Sequence, residues 1–136
     1  MKIQQLPALL LFCCLGACGG SPASTAPAPL ELDVEGTLAA GTTVPVKGTD
    51  MQVTFVAVTE DSRCPKDVTC VWAGEVKVKL TVKLGSSAPV KREVLEGRAA
   101  IVEPYRLTVT RVLPEPLSDK KPQPSDYRIN LIVVRI

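Results

Sequence analysis

Histidine is absent from all 136 residues, which removes the commonest general base and leaves no nitrogen ligand to complete a zinc site. No charge of one sign dominates either. Once Lys2 leaves with the segment described below, fifteen Lys and Arg face fourteen Asp and Glu, so there is no electrostatic footprint for nucleic acid. A Gly-rich phosphate loop between strand and helix is missing, as are helical periodicity, internal repeats and any sign of a second domain. An enzyme is therefore the least supported class. A carboxylate pair such as Asp61 with Glu75 would serve a hydrolase, but acidic residues on a β surface are ordinarily just solvated. The composition implies no cofactor.

A long hydrophobic run is lacking too. The one apolar stretch, Leu6 to Ala17, follows Lys2 and is broken by Pro7 and Gly16. A membrane-spanning helix needs about 20 such residues, so residues 1–17 read instead as a secretory signal peptide. The stretch ends in Leu15-Gly16-Ala17-Cys18, which resembles the lipobox of bacterial lipoproteins. It implies cleavage before Cys18 and lipidation of its thiol by diacylglycerol and palmitate-class chains. Cys13 and Cys14 fit less well, because Phe12 and Cys13 precede them where a small residue is wanted. The alternative is an ordinary signal peptide cut near Gly20. Gly19 stands where an aspartate retains such lipoproteins at the inner membrane, so the resemblance implies the outer membrane of a bacterial envelope, periplasmic or surface face undetermined. Residues 18–29 are small residues and prolines, a tether of about 30 Å when extended.

Processing also changes the cysteine count. Cys13 and Cys14 depart, Cys18 is capped, and Cys64 and Cys70 remain. One pair in an oxidising compartment reads as one disulfide. A redox pair or half a metal site is the alternative, but five intervening residues do not match a Cys-x-x-Cys motif.

What the rest of the chain has is alternation. Leu30, Leu32 and Val34; Val53, Phe55 and Ala57; Val76 through Leu84; Tyr105, Leu107 and Val109; and Tyr127 through Val133 each recur with period two, the signature of half-buried strands. Ile132, Val134 and Ile136 make the last segment apolar on both faces, as a central strand would be. Gly36, Gly41, Gly48, Gly85, Gly97 and the prolines from Pro114 to Pro124 punctuate these runs. The expectation is one all-β domain over residues 30–136, an antiparallel β-sandwich (immunoglobulin-like or Greek-key) or a small barrel of about seven strands. Lys77, Lys79 and Lys83 form a row that reads as a solvated strand face, or less readily as an anion surface.

Asp61-Ser62-Arg63-Cys64-Pro65, then Cys70-Val71-Trp72-Ala73-Gly74 and a long alternating strand, resembles a segment of small uncharacterised bacterial lipoproteins and secreted β-domain proteins. Tyr105-Arg106-Leu107 through Leu113-Pro114-Glu115-Pro116 is similar as well. The resemblance implies export and a β fold and brings no activity. Physically, the segment is a stapled loop in which Asp61 pairs with Arg63 and the guanidinium lies over the only tryptophan, Trp72. It serves either as a self-satisfied corner or as a binding surface formed by Asp61, Ser62, Arg63, Asp67 and Trp72. The leading function is a membrane-anchored, non-catalytic binding or structural module for an envelope protein or polymer. Two alternatives are a protease inhibitor presenting Arg63-Cys64-Pro65 and a calcium site using Glu60, Asp61, Asp67 or Glu75.

Overall fold

A computed structural model describes residues 26–136; the signal segment, Cys13, Cys14, Cys18 and most of the tether lie outside the described residues. Alternation does translate into strands: β1 (Gly36–Ala39), β2 (Thr42–Pro45), β3 (Met51–Asp61), β4 (Val76–Leu84), β5 (Val90–Leu95), β6 (Ala99–Val102), β7 (Tyr105–Leu113) and β8 (Arg128–Arg135). One 3-10 turn, Pro124–Asp126, precedes β8. Two four-stranded antiparallel sheets result, ordered β1-β8-β7-β6 and β2-β3-β4-β5. Phe55, Leu38, Met51, Leu80, Leu107, Ile129 and Leu131 fill the space between them, and no polar side chain is fully buried among the described residues.

The sandwich is as expected, with two corrections to its finer description. It is not a closed barrel. Nor is its connectivity a Greek key, because neighbours in each sheet follow chain order and β1 lies beside β8. The chain meanders through one sheet, crosses at Gly97 and meanders through the other. Eight strands form, because β1, β2, β5 and β6 are too short to show an alternating pattern.

The expected strand over Leu30, Leu32 and Val34 is replaced by isolated bridges, Leu30 to Val46 and Leu32 to Val133. Asp33 adopts φ 62°, a left-handed conformation that stops the alternation and leaves Val34 exposed. Gly36 lies within a strand rather than a turn. A β-carbon there would meet Leu30 Cδ2 at 2.3 Å, so the missing side chain lets Leu30 enter the core.

Bulges matter most near the end of β3. Phe55 opposes Leu80, but the register slips so that Ala57 opposes outward-facing Lys79 and Val58 opposes buried Val78. Ala57, expected inside, thus points away from the core. A second slip places Glu60 opposite Lys77 and Asp61 opposite buried Val76. Each extra residue inverts the facing of everything after it, and Asp61 is thereby aimed inward. The lysine row faces outward as a solvated face, with Lys77 paired to Glu60 and Lys79 opposite Glu93. β8 is flanked by β1 and β7, and Ile132 and Val134 on its outer face are half-buried.

Candidate functional site

β3 and β4 do not stop at their ends; they continue into a stapled hairpin spanning residues 62–75. Ser62 N–H donates to the Glu75 carbonyl at 2.8 Å, and Cys64 N–H to the Ala73 carbonyl at 3.0 Å. The Ser62 hydroxyl completes this base by donating to the Glu75 carbonyl and accepting from the Glu75 N–H, each at 3.1 Å. Cys64 and Cys70 are disulfide-bonded with their α-carbons 5.9 Å apart, a separation suited to an unforced bridge. Closing so short a loop contributes about 2 kcal/mol in the chain-entropy account. Changing both cysteines to serine is expected to lower stability by that amount in a denaturant titration. The domain should still unfold in one transition, because the hydrogen bonds at the hairpin base survive the change.

Beneath the hairpin lies an ionic clamp that joins the two sheets. The Arg63 guanidinium grips Asp61 through both arms, with Nε to Oδ1 and Nη2 to Oδ2 each 2.8 Å. Its remaining donors reach the end of β7, with Nη1 to the Val112 carbonyl at 2.7 Å and Nη2 to the Pro114 carbonyl at 3.0 Å. Glu96 stands 3.8 Å from Nη1 and accepts the Val112 N–H at 2.7 Å. Tyr127, just before β8, donates its hydroxyl to Asp61 Oδ2 at 2.9 Å. The side chains of Asp61 and Arg63 are only 9% and 12% exposed. A bidentate pair whose other donors are also satisfied is the arrangement in which burying two charges is tolerated.

The same geometry sets the titration of these groups. Burial pushes the Asp61 carboxyl upward, but hydrogen bonds from Arg63 and Tyr127 and the guanidinium charge outweigh it, so its pKa lies below the ordinary aspartate value. Tyr127 moves up to about 12, first through burial and then through its bond to the Asp61 carboxylate and that group's charge.

The loop residues singled out by sequence therefore divide. Asp61 and Arg63 do pair, but as an inward clamp, and Ser62 serves the hairpin base. Asp67 accepts the Ser118 N–H at 2.9 Å and the Ser118 hydroxyl, which pins the loop to the proline-rich segment; Lys66 N–H adds a bond to the Pro116 carbonyl at 3.1 Å. The guanidinium does not lie over Trp72, because four oxygen acceptors draw it the other way. Trp72 is 83% exposed and Val71 93%, with Val68 also exposed on the same loop. The carboxylates Glu60, Asp61, Asp67 and Glu75 are committed to different partners or point apart, and no group of three metal-ligating residues occurs among the described residues. Glu96, Tyr127, the β7 carbonyls and Val71 were not legible as site components. They come from distant parts of the sequence, and a backbone carbonyl carries no sequence signal.

An open cleft of about 480 Å³ runs beside the hairpin. Ala73, Gly74 and Glu75, the residues directly after Trp72, form one wall, and Glu96, Arg98 and Arg111 contribute to the rest. Comparison of the chain with protein-family models, with curated proteins and with solved structures found no match.

Proposed function

We propose that this chain is an envelope lipoprotein, anchored through lipid on Cys18, that acts as a non-catalytic binding module with the stapled loop as its contact surface. The observation that carries this reading is the exposure of Val71 and Trp72 at the tip of a loop whose base is fixed three ways. Solvated apolar side chains are costly on a mobile loop and useful on a rigid one, since ordering has been completed before any partner arrives. The disulfide, the Arg63 clamp and the Asp67–Ser118 contact supply that rigidity.

Placement of the loop supports the same reading. Leu30 N–H bonds to the Pro45 carbonyl beside the start of β3, whereas the hairpin leaves the end of β3. The ten intervening steps put the two about 30 Å apart. A tether entering at Leu30 therefore presents the loop at the far pole of the domain.

Protease inhibition is not favoured by this geometry, because the Arg63 side chain it requires at the surface is turned inward. The binding reading is tested in the envelope of a bacterial host with a photo-crosslinking residue placed at position 72, or at exposed Val56 on β3 as a control. A discrete adduct from position 72 alone is expected. Equal behaviour at the two positions would defeat the reading. In the same host Cys18→Ala is expected to abolish palmitate labelling and to release the chain from membranes.

A further inference from the structure

Beside Trp72 the cleft has an unusual balance. Among its lining side chains Lys66, Arg98, Arg111 and the edge of Arg63 are positive, and Glu75, Glu96 and Glu115 are negative. Arg111 is paired with Glu115, and Glu96 is held by the Val112 N–H and Arg63. Lys66, Arg98 and Glu75 make no side-chain hydrogen bond or ion pair among the described residues, so donors and an acceptor remain available in one open depression.

A strongly charged ligand would call for an excess of one sign, and a peptide anchored by an apolar side chain would call for an enclosed apolar pocket. Neither is present. The surface offers a flat aromatic face, held rigid and solvated, next to polar groups of both kinds. A pyranose ring has the complementary form, with an axial C–H face for the indole and a rim of hydroxyl and acetamido groups that both donate and accept. We infer that Trp72 and the adjoining cleft form a glycan-binding site, with Trp72 as the stacking platform and Arg98, Lys66 and Glu75 as the groups that meet the ring's edge.

This inference rests on the binding-module reading above and names its partner class as a neutral, N-acetylated sugar chain. Trp72 is the sole tryptophan, so intrinsic fluorescence reports on this position alone. The full chain, purified in detergent, is titrated with a β-1,4-linked N-acetylglucosamine hexamer and separately sedimented with purified peptidoglycan sacculi. A shift of emission to shorter wavelength and retention on sacculi are expected. Trp72→Ala should weaken retention about tenfold or more, the loss of one good aromatic contact, while Trp72→Phe keeps most of it. Arg98→Ala should weaken it too, and both altered residues are exposed, so the fold is preserved. No emission shift at millimolar hexamer together with no retention would overturn the inference, as would retention unaffected by Trp72→Ala. The position-72 adduct separates the two levels. If it is dissolved by protease and not by muramidase, the glycan fails and the binding module stands; if no adduct forms and Trp72→Ala changes nothing, both fail.

Discussion

Arg63→Ala is expected to destabilise the domain by about 3–5 kcal/mol, the usual cost of removing one partner from a buried ion pair. In a domain of this size that corresponds to a melting temperature lower by roughly 15 °C or more. The loss is large because the variant leaves Asp61 buried beside Val76 with only the Tyr127 hydroxyl and the Arg63 backbone N–H to satisfy it. It also strips the Val112 and Pro114 carbonyls of their donors. Arg63→Lys retains the charge but not the planar fork, so it should recover only part of the loss. A charge effect alone would predict full recovery, and that outcome would refute the clamp.

The clamp also fixes how stability follows pH. Asp61 is depressed in the folded state, so its contribution is present above the ordinary aspartate pKa of about 4 and is lost as pH falls through the lower folded value. Tyr127 is raised to about 12, so its contribution is present below the ordinary tyrosine pKa of about 10 and is lost as pH rises toward 12. Stability measured by denaturant midpoints should be insensitive to this pair across the neutral range and decline at both ends. Tyr127→Phe should flatten the alkaline decline.

How much of this was legible in the sequence depends on the range over which each signal acts. Val76 to Leu84 alternates without interruption because β4 is a regular strand with one face in the core, and its facing was readable residue by residue. β3 begins equally clearly, but bulges at Val56 and Thr59 invert the facing twice, and nothing in Val56-Ala57-Val58 announces the slip. The Asp61–Arg63 pair was readable because its members are two residues apart. Its direction was not, since inward aim follows from the bulges and from acceptors contributed by β7 and the segment before β8. Trp72 was expected beneath the guanidinium on the general attraction of cations to aromatic faces. Charged and carbonyl oxygens at 2.7–3.0 Å outcompete that attraction, and the indole is left in solvent.

Gly74→Ala is the second change expected to have a large effect, at about 3 kcal/mol or more. Gly74 has φ +66°, where a side chain costs about 1–2 kcal/mol. Strain is the smaller part. A β-carbon built there would lie 1.8 Å from the Ser62 carbonyl oxygen and 2.5 Å from its carbon, backbone atoms that cannot rotate aside. Relief requires separating the two arms of the hairpin, which breaks the Cys64–Ala73 and Ser62–Glu75 hydrogen bonds at about 1 kcal/mol each. Separation would also pull Arg63, next to Ser62, away from the β7 carbonyls. Gly74→Ala and Arg63→Ala should consequently be less than additive in a double-mutant cycle, since each disrupts what the other has already loosened. Simple additivity would mean that the hairpin base and the clamp are independent. Sub-additivity would show that one glycine lets the stapled loop sit close enough to the sandwich for the buried arginine to reach the opposite sheet, which is what holds Trp72 in place at the surface.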